Sequence, residues 1–264
     1  MTEKEIITNR VRIGAPVLNT FIDALGWDDV IVTVLNWGVS RQPRTVCLCN
    51  VHSAVTAMDN ADLANALSTS DMVLPDGAPV AWVLRRKGFK RQTRIAGPDL
   101  MLKLCEALQY RSVGVFLFGS SEKTLQQLQH NLGKKFPGLT IRGTLSPKYG
   151  AWSQGDESHY IGTINRSGAE IIFVGLGCPR QELWMAKHSR EIPGVLVGVG
   201  AAFDFHARTI QRAPEFMQRA GLEWLHRLAS EPRRLWRRYL IMNSCFLWFV
   251  ARDFLKFQFR EKTT

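Results

Sequence analysis

Short apolar runs recur along this chain, and the segments between them carry apolar residues at helical spacing. The runs fall at residues 46–51, 71–74, 113–118, 139–145, 170–174 and 195–200. They read as strands buried on both faces, because they lack the strict alternation expected where one face meets water. Residues 52–67 place Val55, Met58, Leu63 and Leu67 near one side of a helix. Further helices are predicted from Ala78, from Gly97 to about Tyr110, from Glu122, over 156–167 and after Pro179. Strands alternating with helices predict an α/β fold, a Rossmann-like and mostly parallel sheet covered by helices on both faces. Ahead of it, residues 11–18 are strand-like, while the period of 21–37 fits helix and strand equally. After Pro214 the pattern changes to helices rich in Arg and Trp, at 215–220, 222–229 and 232–262. The chain therefore divides into an α/β domain, 1–211, and a basic helical appendage, 212–264.

Ligands of open α/β sheets bind beyond the carboxyl ends of the strands. Asn50, Asp76, Gly119, Gln181 and Asp204 all follow predicted strands closely, so one sheet edge can gather them. Asp76 stands in Leu74-Pro75-Asp76-Gly77-Ala78-Pro79, where Gly77 permits a turn and Pro79 is tolerated in the first turn of a helix. An aspartate there either caps the helix or takes a proton from, or holds, a sugar hydroxyl. Gly175-Leu176-Gly177 lets the backbone approach a ligand and leaves Gln181 and Glu182 near a helix amino terminus. These glycines make only half of a dinucleotide fingerprint, and neither GxGxxG nor a Walker sequence occurs, which argues against a nicotinamide-dependent oxidoreductase. Gly119-Ser120-Ser121-Glu122 starts a helix with cap-forming residues and could cradle phosphate. Arg94 either reaches a phosphate or rests on the surface. His52 and His206 are read as structural, and the basic run 85–91 as a solvated loop.

The formal charge of +11 and pI near 9.8 imply a polyanionic partner, either nucleic acid, anionic lipid or a phosphorylated substrate. The location of the charge helps to choose. Arginines of the appendage bracket the uncharged run 239–251, whose thirteen residues fall short of the roughly 20 needed to span a bilayer. Trp236, Tyr239, Phe246, Trp248, Phe249, Phe254 and Phe257 suit an interfacial helix on an anionic membrane surface. The alternative, a basic nucleic-acid-binding α/β protein, is supported by charge alone, and so apolar a run ill suits a solvated groove. Exposed apolar surface has to be covered somewhere, which is compatible with a homo-oligomer. Five cysteines lack CxxC spacing, so neither zinc site nor disulfide framework is suggested; Cys47 and Cys49 read as small core residues. Residues 1–10 are charged and lack the apolar core of a secretory signal.

Taken in order, Pro-Asp-Gly at Asp76, the Gly-Leu-Gly-Cys-Pro-Arg-Gln-Glu turn, Gly-Val-Gly-Ala-Ala-Phe-Asp ending at Asp204 and the segment 212–228 resemble the bacterial WecG/TagA/CpsF glycosyltransferase family. The resemblance runs from about Val46 to Arg238. It implies transfer of a hexose, of the N-acetylmannosamine, uronic acid or glucose type, from a UDP-sugar to a polyprenyl-diphosphate-linked sugar. That reaction is placed at the cytoplasmic face of the bacterial inner membrane, in cell-surface or exopolysaccharide synthesis, with inversion. By position, Asp76 matches the family's proposed base, and Arg94 and Gln181 match an arginine and a glutamine of the pocket. Asp204 matches a nucleotide-associated position. Asn50, Gly77, Gly119 and Gly177 would line the substrate site, and Arg212, Arg219, Arg227, Arg233 and Arg234 are candidates to hold the diphosphate. Leu48 departs from the Thr of teichoic-acid members, which bears on the sugar transferred. No Asp-x-Asp pair occurs, so metal-independent turnover without a cofactor is expected, with fixed arginines and backbone N–H groups on the leaving diphosphate.

Overall fold

A computed structural model describes residues 12–261, apart from the side chains of Arg219, Arg234, Arg238 and residues 254–261. The fold begins with an antiparallel hairpin, β1 (Gly14–Val17) and β2 (Thr20–Asp23), and helix α1 (Trp27–Val39). The stretch whose period fitted two structures is thus part strand and part helix, divided near Gly26. Six strands follow: β3 (Arg44–Cys49), β4 (Met72–Pro75), β5 (Val115–Gly119), β6 (Ile141–Leu145), β7 (Ile171–Gly175) and β8 (Val195–Gly198). They form one sheet in the order β4-β3-β8-β7-β5-β6, with every pair parallel.

Apart from the edge strand β6, successive side chains of each strand enter opposite cores, as a period of two requires. Cys47, Cys49, Phe116, Phe118, Ile172 and Val174 face one way. Helices α2 (Val51–Asp59), α3 (Ala61–Ser68), α4 (Ala78–Arg86), α7 (Gln154–Ser167) and α8 (Arg180–His188) cover that side. Val46, Leu48, Val115, Leu117, Ile171 and Phe173 face the other, under α1, α5 (Gly97–Leu108), α6 (Glu122–Lys135) and α9 (Ala202–His206). Both faces are sealed over the other five strands, which explains why those read as continuous apolar runs; the edge strand β6, also expected to be buried on both faces, is only partly covered and exposes Arg142.

Two expectations need correction. The single helix over 52–67 is two, because Asn60 turns to an extended backbone and its side chain accepts from Leu63 N at 2.8 Å, capping α3. The basic run 85–91 is only partly solvated. Lys87 Nζ donates to the Pro16 carbonyl at 2.7 Å and Arg85 Nη1 to that of Gln92 at 3.0 Å, fastening the hairpin and the following loop.

After α9 come α10 (Glu215–Arg219), α11 (Glu223–Ser230) and the long α12 (Pro232–Glu261). No described helix is long and apolar enough to cross a membrane. Helix α12 is not free on all sides. Phe246 (1% exposed), Val250 and Leu235 are buried, Phe246 and Val250 within the α2 side of the core. Trp236, Leu240, Ile241, Leu247 and Trp248 point outward. The aromatic residues grouped in the sequence thus divide between core and surface; the side chains of Phe254 and Phe257 lie outside the described residues.

Candidate active site

Parallel register brings the first two site residues together. Cys49 of β3 lies opposite Pro75 of β4, so the next residues, Asn50 and Asp76, leave the sheet side by side although 26 positions apart. Asn50 is the N-cap of α2: its Oδ1 accepts from Ser53 N at 3.2 Å. With the amide held that way, Asn50 Nδ2 points at Asp76 and donates to Oδ2 at 3.3 Å. Asp76 itself caps nothing. The N-cap of α4 is Gly77, at φ 107°, with no side-chain cap bond, and this backbone state, hostile to other residues, turns the chain from β4 into α4 directly after Asp76.

A cleft of about 440 Å³ opens over the carboxyl ends of β4, β3, β8 and β7. Asn50, His52, Asp76, Gly77, Arg94, Gly177, Cys178, Gln181 and Glu182 line it on the α/β side. Gly221, Glu223, Trp224 and Arg227 from around α11, and Tyr239, Met242 and Asn243 from α12, close it on the other. The appendage therefore builds one wall. Burial raises the Asp76 carboxyl above its usual range; the Asn50 hydrogen bond and the Arg94 charge oppose the rise, and Glu223 adds to it. A carboxylate so placed is a stronger base than one in water.

Gln181 is buried and bridges two elements. Its Oε1 accepts from Gly200 N at 3.1 Å, and its Nε2 donates to Glu182 Oε1 at 2.8 Å. It thus holds the turn after β8 against α8. Glu182 is also buried; desolvation raises its carboxyl, against the pull of the Gln181 amide and the Cys178 thiol.

Arg94 Nη1 donates to Glu223 Oε2 at 2.8 Å, and Arg212 Nε to Glu223 Oε1 at 3.2 Å. Arg212 also makes a bidentate pair with Asp99, at 2.6 and 2.8 Å. Burial alone would raise the Asp99 carboxyl, but this pair outweighs it and holds it low. The network locks the start of the appendage to the loop and helix after β4. Arg227 lies in the cleft over the Phe205 ring, and its buried Nε has no hydrogen-bond partner among the described residues.

Other sequence candidates lie apart. Gly119, at φ 127°, ends β5 outside the cleft lining, and a Cβ there would come within 2.5 Å of the Gly175 carbonyl oxygen. Asp204 faces Ser120 and Thr209, beyond the same lining. Arg233 is exposed away from the cleft, and the side chains of Arg219 and Arg234 are outside the described residues. His206 is structural, its Nε2 bonded with the Pro98 carbonyl at 2.9 Å and its pKa lowered by burial, whereas His52 lines the cleft. Sequence reasoning assigned no site role to Glu223, Trp224 and Asn243, and it gave Tyr239 to the membrane interface, whereas all four line the cleft. For Glu223 and Trp224 the signal was their place in segment 212–228, which carries part of the family resemblance, with Glu223 an acid between Arg219 and Arg227. Among the described residues, no three His, Cys, Asp or Glu side chains gather as metal ligands.

The glycosyl transferase WecG/TagA/CpsF family matches the chain over residues 15–260. An N-acetylglucosaminyldiphosphoundecaprenol N-acetyl-beta-D-mannosaminyltransferase of Bacillus spizizenii is 33% identical over 196 residues, 74% of this chain and 74% of the relative. A protein of the same description from Bacillus subtilis is 30% identical over 192 residues, 72% of this chain and 73% of the relative.

Proposed function

The chain belongs to the WecG/TagA/CpsF family of glycosyltransferases, and from that premise we propose that it transfers N-acetylmannosamine from a UDP-linked donor to N-acetylglucosaminyl-diphosphoundecaprenol. The names of the two relatives support the acceptor and the sugar. The observation that carries the mechanism is Asp76: a carboxylate at the sheet edge, raised by burial, hydrogen-bonded by Asn50 and facing a cleft that holds Arg94 and Arg227.

An acceptor hydroxyl is a poor nucleophile until its proton is drawn away. In this reading Asp76 takes that proton as the hydroxyl oxygen bonds to the anomeric carbon. The bond from that carbon to the diphosphate breaks on the opposite face, and UDP leaves with the electron pair, so the configuration inverts. Arg227, with its buried Nε unpartnered among the described residues, is suited to the diphosphate charge. Fixed cations of this kind can replace a divalent ion, and turnover is expected to survive EDTA. Activity lost in EDTA and restored by magnesium would contradict this. The outward apolar face of α12, with Arg237 and Arg252 exposed alongside it, supports peripheral seating on the cytoplasmic face of the membrane, where the lipid-linked acceptor would be met.

The test is transfer from UDP-N-acetylmannosamine, its uronic acid and UDP-glucose to the lipid-linked acceptor, by the parent enzyme and Asp76→Asn. Product with the first donor, absent in the variant while UDP binding persists, is expected. Leu48 lines the cleft, so product with a different donor would correct the sugar. Near-normal transfer by Asp76→Asn would refute the base.

A further inference from the structure

Arg94 is brought close to Asp76 by the backbone. The Ile95 N–H donates to the Pro75 carbonyl at 2.9 Å, so Arg94 enters the cleft beside the residue that precedes the base. A guanidinium in that position can close on a carboxylate. A direct pair would hold the carboxyl low and leave a weak base. The structure shows a different arrangement: Arg94 Nη1 is bonded to Glu223 Oε2 at 2.8 Å, Glu223 Oε1 to Arg212 Nε at 3.2 Å, and Arg212 to Asp99. Two carboxylates and two guanidinium groups balance one another, with the Glu223 side chain only 14% exposed. Asp76 keeps the neutral amide of Asn50 as its side-chain donor.

We propose that Glu223 is a positioning residue for the transfer: by holding Arg94 against Arg212 it keeps the Asp76 carboxylate out of an ion pair. Glu223 reaches in from the amino end of α11, so the base is set only when the appendage is seated on the α/β domain. The inference rests on reading Asp76 as the base.

The groups facing Asp76 are few. Cys49 lies on the neighbouring strand, and burial keeps its thiol protonated; Arg94 comes from the loop after β4, and Glu223 and Arg227 from α11. His52 of α2 and Glu182 of α8 line the same cleft. Neutralising Glu223 acts on Asp76 in two ways that share a sign. It removes the negative charge that raises the carboxyl, and it frees Arg94 to pair with it.

The experiment compares kcat–pH profiles of the parent, Glu223→Gln and Glu223→Asp, together with a carbon-13 titration of the Asp76 carboxyl in each protein, which needs no turnover. In Glu223→Gln the acid limb and the Asp76 titration should both move down by about one pH unit, the effect of one nearby charge. Its plateau kcat should fall severalfold, up to about tenfold, as expected for a general base weakened by about one unit. Glu223→Asp, which keeps the charge, should return most of both. A Glu223→Gln protein whose Asp76 titrates as in the parent overturns the proposal, whatever its activity. Asp76→Asn, measured alongside, keeps the two failures apart. Near-normal transfer there sinks the base and this role together, while lost transfer with an unmoved titration sinks the role of Glu223 alone.

Discussion

In the proposed reaction Asp76 would work through its neighbours as much as through its own chemistry. At Gly77, where φ is 107°, an added Cβ would meet nothing nearer than 3.8 Å, so space is not what demands glycine there; the backbone is. Gly77→Ala should therefore cost about 1–3 kcal/mol through strain alone and displace the carboxylate. Chemical denaturation and transfer assays of that variant should fall together. Glu182 offers a second test at this scale. Its carboxyl is raised in the fold, so the folded state favours the neutral form. Stability from this group is then full below the ordinary glutamate range and is lost as pH rises from there towards the raised value. Glu182→Gln keeps an acceptor for the Gln181 amide and carries no charge. Its melting temperature relative to the parent should rise as pH climbs above the ordinary glutamate range; a difference that stays flat would contradict the assignment.

At the scale of elements, α12 has three duties, two of them on one face, because residues 239, 242, 243, 246 and 250 fall on a single helical stripe. Phe246 and Val250 enter the core on the α2 side, Tyr239, Met242 and Asn243 line the cleft, and Trp236, Leu240 and Trp248 face outward. Phe246→Ala removes a fully buried ring and should cost about 3–5 kcal/mol if α12 folds cooperatively with the sheet. A much smaller loss in urea denaturation would mean that the helix unseats independently. The same variant should lose transfer, because the cleft wall rides on the helix that Phe246 anchors.

For the molecule as a whole, charge and apolar surface act together. A net charge of +11 draws the protein to any polyanion, and the outward face of α12 adds an apolar contact that nucleic acid would not use. In the proposed membrane seating, Leu240→Glu and Trp248→Glu, both exposed and outside the cleft lining, should reduce sedimentation with anionic vesicles and leave the melting temperature near that of the parent. Unchanged sedimentation would leave the apolar face to another role, such as self-association.

The strands, their parallel pairing and the edge on which the site lies are legible in the amino-acid order. Apolar runs, turn residues and strand-end polar groups are local signals, and a parallel sheet aligns its carboxyl ends whatever order the strands take. Asp76, Gln181 and the half-fingerprint at Gly177 were readable for that reason. That Asn50 and Asp76 are neighbours emerges only on folding, because strand order and register are set by packing between residues far apart in the chain. Folding likewise leaves Gly119 and Asp204 beyond the cleft, and makes an appendage legible only as basic and apolar into one of its walls. Glu223 is the clearest case. In the sequence it is an acid among arginines, and its partner Arg94 lies 129 positions away. Only the fold brings those charges within hydrogen-bonding reach, where low solvent exposure makes the choice of partner matter.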